Sequence, residues 1–128
     1  MATFKSIAAC FPVSDVGKTL RWYEQHLGFS VFPFPAEEPY VFGILQRDNV
    51  EIMLQRVDGY EKPDLYSQRP GGVWDAYIRM NGVEELYEQV RTELAITMPL
   101  QQQPYGDWEF EVRDPNGYVL VFSELKTS

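Results

Sequence analysis

Cysteine is almost absent from this chain of 128 residues: Cys10 stands alone, so neither an intrachain disulfide nor a thiolate metal cluster can form. The place expected for that one sulfur is a small buried strand position. Histidine is equally scarce. His26 is the only one, and a single imidazole excludes any intrachain site built on two. Basic residues number 11 against 19 acidic ones, giving a formal net charge of −8. A chain without a basic surplus is a poor match for phosphate backbones, so nucleic acid is not an expected partner. The same acidity suits a cationic ligand, although it also serves plain solubility. No apolar run approaches the roughly 20 residues of a membrane-spanning helix. Met1–Lys5 lacks the charged-then-apolar pattern of a leader, so no membrane partner and a cytoplasmic location are expected. There is no Gly-rich phosphate loop and no G-x-S-x-G elbow. A Ser-His-Asp arrangement would have to recruit His26 from the end of a helix, where an imidazole ordinarily faces solvent.

Apolar residues are plentiful, at 45% with 15% aromatic, enough for one domain with an ordinary core. Their order repeats. Ile7–Val13 is an apolar run that ends at Ser14-Asp15, a good helix N-cap pair. Val16, Leu20, Tyr23 and Leu27 then follow at helical steps, Gly28 sits where a helix stops, and Phe29–Phe34 reads as a strand. Sixty-seven residues on, Val73–Met80 is again an apolar run, ending at Asn81-Gly82, and Val83, Tyr87, Val90 and Leu94 repeat the helical steps. Tyr40-Val41-Phe42 answers Trp108-Glu109-Phe110. The turn Arg47-Asp48-Asn49 answers Arg113-Asp114-Pro115-Asn116-Gly117, and strand Val50–Gln55 answers Tyr118–Ser123. Each half therefore reads βαβββ, about residues 4–58 and 73–125. The segment 59–72, with Pro63, Pro70 and Gly71-Gly72, is the expected linker, and Gln101-Gln102-Gln103-Pro104 a second loop. The fold class is α+β: two modules whose sheets form a half-open curved barrel with helices outside.

These stretches resemble the vicinal oxygen chelate superfamily, that of glyoxalase I, extradiol dioxygenases and bleomycin-resistance proteins. Pro12-Val13-Ser14-Asp15-Val16, Trp22-Tyr23, Leu27-Gly28-Phe29, Val83-Glu84-Glu85-Leu86-Tyr87 and Arg113-Asp114-Pro115-Asn116-Gly117-Tyr118 carry the likeness across nearly the whole chain, in the expected order. Length, spacing between halves and the Pro104-Tyr105-Gly106 approach look most like bleomycin-resistance proteins. Enzymes of the superfamily hold a divalent ion on the first and last strands of each half. By motif those positions fall at Ala8, Glu51 or Met53, Asp75 and Val121. Alanine, methionine and valine offer such an ion nothing, so the resemblance implies a metal-free protein with no cofactor and no assigned catalytic residue.

Strand alternation sorts a possible pocket. Ser6, Ala8 and Cys10 share one face, as do Glu51, Met53 and Gln55, then Asp75, Tyr77 and Arg79, and then Val119, Val121 and Ser123. The opposite faces (Ile7, Ala9, Phe11; Trp74, Ala76, Ile78; Tyr118, Leu120, Phe122) are expected under the helices. Phe32, Phe34, Tyr40, Tyr105 and Trp108 border the mixed faces. The resemblance assigns ligand-wall roles to the positions of Met53, Gln55, Tyr77, Arg79 and Tyr105. Glu51 or Asp75 would pair with a cation, unless Asp75 and Arg79 form an internal ion pair. Glu84, Glu85, Glu109 and Glu111 are expected on solvated faces. The resulting expectation is sequestration of a small planar, cationic compound in the clefts of a homodimer. Its rivals are a lyase, isomerase or dioxygenase, using Glu51 or Asp75 as base or a divalent metal, and a structural protein whose pocket its own side chains close.

Overall fold

Asp15 starts the first helix. Its carboxylate accepts the backbone N–H of Lys18 (3.0 Å), and Gly28, left-handed at φ 68°, ends the helix by returning its N–H to the Tyr23 carbonyl. The computed structural model describes residues 1–69 and 72–126, which divide into two compact units, Met1–Glu61 and Lys62–Ser128. In the first unit the helix α1 (Val16–Leu27) follows β1 (Ala9–Val13), and β2 (Ser30–Phe34), β3 (Phe42–Arg47) and β4 (Val50–Arg56) complete a mixed four-stranded sheet in the order β1-β4-β3-β2. β1 runs parallel to β4; the other neighbours are antiparallel. Val16, Leu20, Tyr23 and Leu27 bury against Phe11, Val13, Leu45, Ile52 and Leu54. Gly43 lets helix and sheet approach closely, since a Cβ there would lie 3.0 Å from Leu20 and 3.2 Å from Val16.

The second unit repeats the plan with β5 (Ala76–Arg79), α2 (Val83–Val90), β6 (Ala95–Gln102), β7 (Asp107–Arg113) and β8 (Val119–Leu125), in the order β5-β8-β7-β6. β5 is parallel to β8, as β1 is to β4. Phe110, Phe122, Leu120, Val112 and Ile78 form the face under α2, with Tyr87 packed edge-on against Phe110. The Asp114–Gly117 turn explains its own sequence. Asp114 accepts the N–H groups of Asn116 (2.8 Å) and Tyr118 (2.9 Å), and Gly117 adopts φ 91°. Neither sheet is closed, and the chain is α+β with the element order read from the repeat.

Several details differ from the sequence reading. The first strand begins at Ala9, where its ladder with β4 opens, so Ser6 and Ala8 share no strand face and Ile7 is 93% exposed instead of lying under the helix. Cys10 is exposed, because it lies on the face of the sheet that α1 does not cover. Trp74 precedes β5 and is exposed. α2 stops four residues before Leu94, where the N–H groups of Glu93 and Leu94 both turn back to the Val90 carbonyl (3.0 Å each). Gln101 and Gln102 are in β6, paired with Glu109 and Trp108. Their polar run conceals an edge strand whose register is irregular. His26 is half-buried with its ring tilted against Trp22, 5.6 Å away. Of the expected linker, Pro70 and Gly71 lie outside the described residues. Lys62 and Tyr66 of that segment belong to the second unit. Lys62 pairs with Asp75 (3.2 Å), and the Tyr66 hydroxyl donates to the Thr97 carbonyl (3.1 Å).

Candidate functional site

Alternation along β7 puts Trp108, Phe110 and Val112 toward α2 and Asp107, Glu109 and Glu111 on the opposite face. Those carboxylates are not solvated. Glu109 is 4% and Glu111 2% exposed, on an inner strand flanked by β6 and β8. Neither forms an ion pair with any described residue. Phenols satisfy Glu109: Tyr77 from β5 donates to Oε2, and Tyr105, from the β6–β7 loop, donates to Oε1 at 2.7 Å. The Tyr77 hydroxyl also lies 3.0 Å from Ser123 Oγ, which donates to Asp107 Oδ2 (3.0 Å). Among the described residues Glu111 has one hydroxyl donor, Thr97 Oγ1, at 3.2 Å. It is flanked in register by Met98 and Val121, whose apolar side chains cannot solvate it.

The electrostatics follow from this crowding. Burial lifts the Glu111 carboxyl above its ordinary range; the Thr97 hydrogen bond opposes that rise and the charge of Glu109 adds to it. Burial also raises the Tyr77 and Tyr105 phenols, reinforced in each case by the hydrogen bond to Glu109, so both remain protonated donors at neutral pH. The face therefore presents buried carboxyl groups bordered by aromatic rings, with no ion pair to either Glu109 or Glu111 among the described residues. Arg79 lies over the Tyr77 ring (5.2 Å) and makes no ion pair with Asp75, contrary to the alternative pairing considered above. Asp75 is occupied otherwise: it takes Lys62 and accepts the Val119 N–H at 2.8 Å.

The site residues expected from sequence fall into three groups. In the first unit, Phe32, Phe34, Glu51, Met53 and Gln55 do share the face turned away from α1. Phe32, Ile44, Met53 and Cys10 align across four strands, as do Phe34, Phe42 and Gln55 across three. That face is open, with Phe32 52% and Phe34 62% exposed beside the polar Glu51 and Gln55. In the second unit, Tyr77, Arg79, Tyr105 and Val121 lie on or against the carboxylate face, while Asp75 is tied to Lys62 just before β5. Trp108 is on the other side, beneath Lys126. Glu109 and Glu111, expected on a solvated face, are the residues the sequence reading passed over. Their signal was present: Glu109 pairs with Ser123 and Glu111 with Val121, both already assigned to the inward face. A separate polar cavity of about 470 Å³ lies by the start of α1, between Ser14–Gly17, Glu38–Tyr40, Arg56 and Asp58. Its carboxylates are already engaged, Asp15 with Lys18 N–H, Glu38 with Arg21 and Asp58 with Arg56.

The donor set does not fit a divalent ion at the motif positions. Ala8 and Val121 have no donor atom, Asp75 is held by Lys62, and no group of three or more His, Cys, Asp or Glu among the described residues is arranged to hold a metal.

Against this geometry, the family model of the glyoxalase/bleomycin resistance protein/dioxygenase superfamily matches residues 4–122. No curated protein matches the chain in sequence. Among solved structures, TioX from Micromonospora sp. ML1 is similar over 96% of this chain and 100% of its own, with 21% identity and a TM-score of 0.76. A glyoxalase-related enzyme from Clostridium phytofermentans is similar over 98% of both chains, with 16% identity and a TM-score of 0.75. The bleomycin-binding protein of Streptomyces verticillus, solved with copper(II)-bleomycin, is similar over 95% of this chain and 97% of its own, with 20% identity and a TM-score of 0.69. At these identities the likeness is one of fold.

Proposed function

The chain belongs to the glyoxalase/bleomycin resistance protein/dioxygenase superfamily, and from that premise we propose that it binds a small cationic compound with a planar apolar part, making and breaking no bonds. The observation that carries this reading is the pair Glu109 and Glu111, buried on the face away from α2 with no cation among the described residues paired to either. Buried carboxylates without a counter-ion are costly, and a ligand that brings one offsets that cost. Tyr77 and Tyr105 supply aromatic surface beside the charge, where a cation gains from the ring faces as well. The bleomycin-binding protein among the similar structures supports a binding role on this fold. The same reading includes a homodimer, favoured by the apolar surface that Phe4, Ile7, Phe32 and Phe34 leave exposed.

The test is titration with 1-naphthylmethylammonium, followed by calorimetry and thermal unfolding. Saturable binding that survives a chelator and weakens about tenfold in Glu109→Gln is expected, the loss of one charge-assisted contact. No heat and no rise in Tm for this or other arylalkylammonium ions up to millimolar concentration would remove the reading.

One observation favours a second function. Glu111 is a buried carboxyl lifted above its ordinary range by burial, the direction in which a carboxyl becomes a better general base, and a glyoxalase-related enzyme shares the fold. Glu51 and Asp75, the bases expected from sequence, suit that role less well: Asp75 is committed to Lys62, and Glu51 lies on the open face of the other unit. Exchange of a carbonyl compound's α-proton with solvent deuterium, lost in Glu111→Gln, is the signature of this alternative.

A further inference from the structure

The two oxygens of Glu109 are held by unlike donors. Tyr77, which takes Oε2, stands on a strand, and its hydroxyl is shared with Ser123 and Asp107 (3.0 and 3.5 Å). Tyr105, which takes Oε1, stands on the β6–β7 loop and is 61% exposed, its hydroxyl interacting besides with that of Tyr77. The loop does not depend on that side chain. Its turn is closed by Gly106 N–H to the Gln103 carbonyl (2.9 Å), Gln103 N–H to the Asp107 carbonyl (2.8 Å) and Gln102 Nε2 to the Gly106 carbonyl (3.2 Å), with Gly106 at φ 103°. A rotation about the Tyr105 side chain therefore uncovers Oε1 and leaves the turn intact. The uncovered position is a hydrogen-bond site on a carboxylate, at the 2.7 Å where a donor atom already sits, with the Tyr77 phenol holding the other oxygen.

We infer that Tyr105 occupies the ligand's place on Glu109, and that the ligand displacing it is a cation bearing N–H groups, a primary or secondary ammonium or an amidinium, and not a quaternary one. This rests on the binding reading above and sharpens it. A phenol leaving a buried carboxylate must be replaced by another donor, or Oε1 is left unsatisfied. A quaternary ammonium brings charge but no donor. A protonated amine brings both, at the distance the hydroxyl held.

Two probes sharing one arene separate the cases: 1-naphthylmethylammonium and its N,N,N-trimethyl counterpart. In the wild-type protein the first is expected to bind about tenfold more tightly, the worth of one hydrogen bond to a charged group. In Tyr105→Phe, where no hydroxyl has to be displaced, the ammonium is expected to gain about fivefold. Tyr105 is exposed, so this variant keeps the fold, which an unfolding curve confirms. Tyr77→Phe is the contrast, since it frees an oxygen that a strand still covers, and its ammonium affinity is expected not to rise. Equal or tighter binding of the trimethyl probe to the wild type, no gain in Tyr105→Phe, or an equal gain in Tyr77→Phe overturns the exchange while leaving cation binding standing. Failure of both probes to bind the wild type overturns the binding reading and the exchange with it.

Discussion

Glu111 shows what burial does to one residue. Its carboxyl is raised by burial and by the neighbouring charge of Glu109, with only Thr97 to oppose the rise. A carboxyl whose folded value lies above its unfolded one holds its proton more tightly in the native state, so its ionisation costs stability. The contribution is neutral below the ordinary value of 4.5, becomes unfavourable as pH climbs from there through the raised value, and is constant beyond it. Glu111→Gln removes this dependence. The variant is expected to match the wild type in urea unfolding at pH 4 and to exceed it by roughly 1 kcal/mol at pH 8, as fits relief of a buried, poorly paired charge. A variant less stable than the wild type at pH 8 would show that Glu111 has a counter-ion after all. Its location was legible only in part. The β7 alternation was visible in the sequence, but whether its polar side met water depended on the strands and loop laid beside it.

The two helices illustrate how elements of a repeat diverge. α1 is capped by its own Asp15, whereas α2 begins at Gly82, which has no side chain to cap with and adopts φ 82°. Glu124 of β8 supplies the missing acceptor: its Oε1 takes the N–H groups of both Gly82 and Val83 at 3.0 Å. This cap acts from 42 residues away, so no local motif announces it, although it does for α2 what an N-cap side chain does. Glu124→Ala is expected to lower stability by about 1 kcal/mol, the usual worth of a cap, as is Asp15→Ala for α1. Chemical denaturation measures both. Amide exchange places the first loss at Gly82 and Val83 and the second at Lys18. If Glu124→Ala left the exchange of Gly82 and Val83 unchanged, the cap would not be holding the helix start.

For the whole molecule, the open question is what covers the apolar surface. Phe32 and Phe34 lie on β2, an edge strand, and point away from α1 beside Ile44 and Phe42. Large aromatic side chains left more than half exposed favour association with a second copy. Sedimentation is expected to give twice the chain mass of 14.9 kDa, and Phe32→Ser with Phe34→Ser is expected to give the single mass with an unchanged circular dichroism spectrum. A double variant that still sediments as a dimer would place the interface elsewhere, and a monomeric wild type would end the dimer proposal.

The order of elements, the duplication and the α+β class were determined by the sequence alone. Helical spacing at Val16–Leu27 and again from Val83, caps at Asp15 and Gly28, and the Asp114–Gly117 turn are local signals, written within a few residues of the structure they produce. The shared face of Glu51, Met53 and Gln55 followed from the same alternation. What tertiary structure decided was which polar groups meet each other and which meet water. Lys62, assigned to a linker, pairs with Asp75; Glu124 caps a distant helix; Ile7 and Cys10 lie open; Glu109 and Glu111 are buried with hydroxyl donors from Tyr77, Tyr105 and Thr97. The physical reason is the same throughout. Periodicity tells a side chain which face of its own strand or helix it takes, but the charge it meets and the water it loses depend on residues brought beside it from elsewhere in the chain.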